Sequence, residues 1–120
     1  MFKHKYSEPP QFRRFIVSLL RKGSLAWPPR GEAFKRAYVG KMRNKSTGRI
    51  TDHYKCAHCQ GLFPMKECHA DHIDPVVSVD GFVDWNTYIE RMFCPVDNFQ
   101  ILCKPCHLIV TNRERQERKK

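Results

Sequence analysis

Phe12, Phe15, Ile16, Leu19 and Leu20 recur at the i, i+3, i+4, i+7, i+8 spacing of an amphipathic helix. Arg13, Arg14, Arg21 and Lys22 fall largely on its other side, and Gly23 is the expected stop. Beyond a turn expected at Trp27-Pro28-Pro29, the spacing of Phe34, Ala37 and Tyr38 predicts a second helix over residues 32–42, then a loop at Asn44-Lys45-Ser46-Thr47-Gly48. Further along, Glu67-Cys68-His69-Ala70-Asp71-His72-Ile73 reads as a short strand ended by Asp74-Pro75, because a proline pushes the residue before it out of helical geometry. Residues 85–93, beginning at Trp85, form a short helix whose apolar members suit packing over a site. Asp97-Asn98 turns into a second strand, Phe99-Gln100-Ile101-Leu102. A last helix starts near Cys103 and Cys106, carries His107 in its first turn, and continues into an Arg/Lys/Glu-rich tail from Asn112 to Lys120. The pattern is α+β, with no internal repeat.

At 120 residues the chain builds one small domain with a limited core, so a stapling metal is a natural supplement. The longest apolar run is broken by Ser18 and flanked by Arg14 and Arg21, too short for a membrane span and lacking a small-residue cleavage site. A soluble, unexported chain with reduced cysteines is therefore expected. Four of its six cysteines fall in two Cys-x-x-Cys pairs, Cys56/Cys59 and Cys103/Cys106. Two thiolates at that spacing reach one tetrahedral ion, and four protein ligands leave no position open for substrate, so the expected cofactor is a structural Zn2+. Gly61 is expected to relax the tight turn, and His58 to be a solvated knuckle side chain rather than a competing ligand. Cys68 and Cys94, without x-x partners, read as small apolar fillers.

The charge extends this picture. With 22 Lys+Arg against 12 Asp+Glu the formal charge is +10, a field that favours polyanions, above all nucleic acid. Lys35, Arg36, Lys41, Arg43 and Lys45, with Arg49, make the helix over 32–42 and its tail basic. Arg113, Arg115, Arg118, Lys119 and Lys120 do the same for the C-terminus, and Met1-Phe2-Lys3-His4-Lys5 is charged as well. Any one of these is more often a solvated side chain than a phosphate contact, but summed charge binds a polyelectrolyte even when no single residue dominates.

The long insert between the knuckles holds Asp71-His72 and Asn98, and the second knuckle runs into His107. Each alone has a plain reading: a structural pair, a turn residue, a neighbour of the zinc. Strict strand alternation aims Asp71 and His72 at opposite faces, so a shared site requires the strand to end or bulge at that pair. His69, two residues before Asp71, shares its face; ordinary packing or exposure is expected there ahead of a role beside a metal or phosphate.

Ala70-Asp71-His72-Ile73-Asp74-Pro75 and Asn98-Phe99-Gln100-Ile101-Leu102-Cys103-Lys104-Pro105-Cys106-His107 together resemble the HNH endonuclease family. The likeness covers the chain from Cys56 to about Asn112. The Trp27-Pro28-Pro29 arm, Gly81-Phe82, and Trp85 followed by Tyr88-Ile89-Glu90-Arg91 are similar to small HNH proteins of tailed bacteriophages. The resemblance implies a small ββα-metal (HNH) nuclease core framed by a four-cysteine zinc ribbon and preceded by a basic helical arm. The arm takes residues 1–53 and the nuclease domain 54–120. It implies His72 as general base, Asp71 and His107 as ligands of one catalytic Mg2+ or Mn2+, and Asn98 as the residue fixing the loop and the orientation of the base. The implied reaction is in-line hydrolysis of a DNA phosphodiester to 5′-phosphate and 3′-hydroxyl products, as a nick or a double-strand break. Double-stranded DNA is the implied partner, with phage packaging proteins a further partner class, a monomer or homodimer as the acting species, and a phage-infected bacterial cytoplasm as the place. Two features depart from the family pattern: Leu108-Ile109-Val110-Thr111 lacks the usual cation before Thr111, which Arg113 or Arg115 could replace, and Asp80-Gly81 is only a partial echo of a Gly-Gly. The alternative of a different class is a zinc-ribbon DNA-binding protein that does not cut; a zinc-ribbon adaptor for protein partners leaves the charge unexplained.

Overall fold

The computed structural model describes residues 9–77 and 81–119. The basic Met1 to Lys5 segment, Asp80, Lys120 and the side chains of Arg118 and Lys119 lie outside the described residues.

Helix α1 spans Pro9–Ser24, running through the expected stop at Gly23 to end one residue later, where the Ser24 hydroxyl donates to the Arg21 carbonyl at 2.7 Å. Pro28 and Pro29, expected in a turn, instead open helix α2 (Pro28–Ala37), where the missing N–H of a proline is no loss. That helix ends five residues earlier than the spacing predicts. Tyr38–Arg43 is strand β1, which pairs antiparallel with β2 (Ile50–Lys55) across the predicted loop. Gly40, at φ +116°, sits at the irregularity between the Tyr38 and Gly40 pairs, a conformation that no helix interior accommodates. Strand β3 (Leu62–Pro64) lies on the other side of β2, completing a three-stranded sheet in the order β1-β2-β3. The arm is thus a helix pair plus a hairpin rather than a helical segment, and the boundary at 53/54 falls inside β2.

The strands of the second sheet are the two expected over residues 67–73 and 99–102. Strand β4 (Cys68–His72) pairs antiparallel with β5 (Phe99–Cys103) from Cys68↔Cys103 to His72↔Phe99 without a bulge. Between them, helix α3 (Trp85–Met92) is capped by the Asp84 carboxylate, which accepts from the Thr87 N–H at 2.7 Å. Helix α4 (Lys104–Lys119) follows β5 directly and takes up the basic tail. Among the described residues the fold is thus α+β, with four α-helices and two small antiparallel sheets. None of these helices is long and apolar enough to cross a membrane.

The core is built in two parts. Ala33 and Phe34 of α2 pack with Tyr54, Cys68, Cys94, Phe99 and Ile101, and the Phe34 and Tyr54 rings meet edge to face at 5.4 Å. Trp27 closes this cluster, its indole N–H donating to the Cys94 carbonyl at 2.8 Å. Cys68 and Cys94 are the buried fillers the sequence suggests, and burial pushes the Cys68 thiol up to about 11. The second cluster is Cys56, Leu102, Cys103 and Cys106, with Phe63 and Val110 against it. The α1 stripe behaves differently from its pattern: Phe12 reaches the Trp85 ring at 6.4 Å, yet Phe15 stays 64% exposed and Leu19 is exposed beside it.

Candidate metal centres

The first knuckle is a turn between β2 and β3; the second joins β5 to α4. Backbone bonds shape the first: the Gln60 N–H donates to the Cys56 carbonyl at 3.0 Å, and the Cys56 N–H to the Gly61 carbonyl at 2.9 Å. A third bond, Ala57 N–H to the Ile101 carbonyl at 2.8 Å, docks that turn on β5. The left-handed residue is Gln60, at φ 66°, rather than Gly61. Glycine at 61 has another cause: an added Cβ would lie 2.8 Å from the Phe63 ring.

Donor sulfurs of Cys56, Cys59, Cys103 and Cys106 all lie within 4.8 Å of one another. Among the described residues they are the one group of three or more ligating side chains so closely gathered. Zinc–sulfur bonds of about 2.3 Å imply tetrahedral edges of about 3.8 Å, and Cys59 Sγ and Cys103 Sγ stand 3.8 Å apart. The four cysteines can therefore hold a metal ion such as zinc. Burial pushes the Cys56 thiol up, but hydrogen bonds from the backbone N–H groups of Cys59, Cys103 and His58 outweigh it and bring it down to about 6. Cys106 is pushed up to about 12, by burial first and then by the neighbouring thiols, and burial raises Cys103 as well. Protons are thus shared unevenly among four crowded sulfurs. His58 is exposed and outside the four-cysteine group, as the sequence suggests, and its Nδ1 lies 3.3 Å from Cys106 Sγ, where it supports that sulfur from outside.

The neighbouring cluster is assembled by β4, β5 and the first turn of α4. Asp71 Oδ2 accepts from the Gln100 amide at 3.1 Å, while Asp71 Oδ1 stands 3.8 Å from His107 Nε2. His69 stacks on His107 with ring centroids 4.6 Å apart and planes inclined 21°. Burial, then the fields of His107, Lys104 and Arg30, lower the basicity of His69, against a smaller opposing pull from Asp71. His72 takes the opposite strand face, its ring against Phe99 at 4.7 Å and its Nε2 2.9 Å from the Met92 carbonyl. The strand ends at that pair without bulging. Asn98 locks the chain just beyond: its Oδ1 accepts from the Asp74 N–H at 2.9 Å, its Nδ2 donates to the Asp74 carbonyl at 3.3 Å, and its own carbonyl accepts from Ile73 at 2.8 Å. Asn98 therefore fixes the loop, while the partner of the His72 ring is the Met92 carbonyl. Residue-type reasoning overlooks that backbone atom, and it names Arg91 without its contact: the guanidinium donates to the Pro75 carbonyl at 3.0 Å.

The basic residues separate into distinct surfaces instead of one helix and its tail. Lys35 and Arg36 are exposed on α2, where Arg36 pairs with Asp97 at 2.8 Å. Lys41 and Arg43 belong to β1 and Lys45 to the turn beyond it, while Arg113 and Arg115 are exposed on α4. No protein-family model, curated protein or solved structure matches the chain.

Proposed function

We propose that this protein is a metal-dependent DNA endonuclease of the HNH type, with a zinc ribbon as its frame and phosphodiester hydrolysis as its reaction. One observation carries the proposal: the Asp71 carboxylate and the His107 imidazole approach to 3.8 Å beside a four-thiolate clamp. Two ligands bonded to one ion at about 2.1 Å each can stand at most about 4.2 Å apart, so the pair can share an ion. Mg2+ or Mn2+ held there would neutralise charge on the phosphate and the leaving oxygen, and a carboxylate and one imidazole leave most of its positions open.

His72 suits the work of a general base. Its Nε2–H donating to the Met92 carbonyl selects the neutral tautomer that leaves the Nδ1 lone pair free to take a proton from water. In-line displacement needs the base and the leaving-group ligand on opposite sides of phosphorus. Consecutive residues at a strand end supply opposite sides, so Asp71 and His72 can flank one phosphate without a bulge. Asn98 keeps the strand end in place through Asp74. The net charge of +10 supports a polyanionic substrate, and double-stranded DNA is the one proposed.

Cleavage of supercoiled plasmid by zinc-loaded protein, with Mg2+, Mn2+ or no added ion, tests the reading. His72→Ala is expected to slow cutting by about 100-fold or more, and Asp71→Ala to remove the dependence on added ion. Full activity in His72→Ala would overturn the base assignment. Tight DNA binding with no cutting under any ion would make the protein a binding module instead.

A further inference from the structure

We infer that the outer half of the β1–β2 hairpin is a DNA-reading ribbon that enters the major groove of B-form DNA. The inference rests on the reading that the substrate is duplex DNA, and it names the element that grips it.

The third strand covers only part of the hairpin. β3 pairs with His53, Tyr54 and Lys55, so the Lys41↔Asp52, Met42↔Thr51 and Arg43↔Ile50 pairs extend past it as a bare two-stranded ribbon. The register places Lys41, Arg43, Ile50 and Asp52 on one face, with three cations and one carboxylate when Arg49 at the tip is added, since directly opposed residues and residues two apart share a face. The tip adds Lys45 and Arg49. From Val39 to Thr51 there is no Asp or Glu, and the first carboxylate, Asp52, accepts a hydrogen bond from the Tyr38 hydroxyl at 3.0 Å. The ion pairs of Arg36, Arg91 and His107 lie elsewhere.

The tip is built as well as charged. Asn44 N–H donates to the Arg49 carbonyl at 2.7 Å, Gly48 N–H to the Asn44 carbonyl at 2.7 Å, and Ser46 N–H to Asn44 Oδ1 at 2.9 Å. Gly48 supplies the positive φ of 74° that closes the turn, and the Arg43 guanidinium donates to its carbonyl at 3.0 Å. A turn ordered in advance loses little entropy on binding.

Dimensions select the groove. Two strands about 4.8 Å apart, with the van der Waals breadth of each backbone added, make a ribbon roughly 10 Å wide. That fits the major groove of B-DNA, about 12 Å across, and neither the minor groove at about 6 Å nor the narrow major groove of duplex RNA. Charge on an edge strand also discourages sheet-to-sheet pairing, but cations on β1 alone would achieve that. Edge protection leaves unexplained Arg49 and Lys45 at the tip, and Ile50, 59% exposed on the basic face, where a thymine methyl offers an apolar contact.

The test uses zinc-loaded full-length protein carrying His72→Ala, so that binding is read without cutting. A fluorescent 20-bp duplex is titrated over a range of salt, with and without the further changes Lys41→Ala, Arg43→Ala, Lys45→Ala and Arg49→Ala. Zinc content and thermal melting confirm that the variant is folded, and each cation is also removed singly. The combined variant should bind at least about tenfold more weakly, with the log–log salt slope shallower by about one for each phosphate that is no longer neutralised. Methylation of guanine N7 should interfere with binding, and a minor-groove ligand should not. Unchanged affinity and slope in the variant, equal binding to duplex RNA, or interference only from the minor-groove ligand would each overturn the ribbon. Plasmid cutting with the hairpin intact tests the nuclease reading separately, so a protein that binds through the hairpin but never cuts would sink that reading alone.

Discussion

His107 stands where two requirements meet. It follows Cys106 directly, so the residue that positions it is itself anchored among the four sulfurs, and its ring lies between Asp71 and His69. A stacked ring restrains rotation about the Cα–Cβ bond and keeps Nε2 directed toward the carboxylate. On the proposal that the Asp71/His107 pair holds a divalent ion, His69→Ala should weaken Mn2+ binding there about tenfold, while His69→Phe, which keeps a stacking ring, should restore most of it. Electron paramagnetic resonance titration of zinc-loaded protein with Mn2+ reads both variants. Equal loss in the two would mean that a His69 nitrogen, and not the stack, is what the site uses. At this scale residue type and order brought out Asp71, His72, Asn98 and His107 because their chemistry is in their side chains. The Met92 carbonyl was invisible because every residue has one, and only the packing of α3 on β4 selects it.

Elements were legible where apolar period and burial coincide. β4 and β5 lie where strands were expected because they carry core residues: Cys68, Phe99, Ile101, Leu102 and Cys103 are all buried. β1 was read as helix for the opposite reason. Apart from half-buried Gly40 its residues are exposed, so no alternation marks it, and β2 rather than its own side chains makes it a strand. The first knuckle offers the matching lesson, since two adjacent positions divide the duties assigned to Gly61 alone. Gly61→Ala should destabilise the protein by about 1–3 kcal/mol through the clash with Phe63, whereas Gln60→Gly, at the left-handed position, should leave the melting temperature unchanged or raise it. Thermal unfolding with zinc bound compares them, and a Gly61→Ala protein as stable as wild type would refute the steric account.

Across the whole molecule, packing is divided between two small clusters, and the largest side chains fully removed from solvent among the described residues are Leu102 and Cys56. A chain so organised would gain stability from a metal held by its four clustered cysteines. Saturating zinc at a thousand times its dissociation constant stabilises the folded form by about 4 kcal/mol, so chelation or Cys56→Ser should lower the melting temperature sharply. An unchanged melt with zinc retained would refute the clamp. The direction of the pH effect follows from the thiols. Zinc binds thiolates, and at neutral pH the raised Cys103 and Cys106 groups hold their protons, so uptake must release them. Affinity should consequently fall as pH falls, and more steeply below about 6, where Cys56 also becomes protonated. Calorimetry in buffers of different ionisation enthalpy measures the protons released, and none released near pH 7 would contradict the assignment.

The sequence by itself determined the two cysteine pairs that can hold a metal, the α+β alternation around them and the set of residues offered for chemistry, because ligand spacing and buried periodicity are local properties of a chain. Tertiary structure decided the rest. It placed Asp71 within reach of His107 and His72 on the other face, gave the His72 ring a carbonyl from a distant helix, and turned part of an expected basic helix into an exposed ribbon. Such outcomes depend on which surfaces are covered and which strands find partners, and residues far apart in the chain settle both.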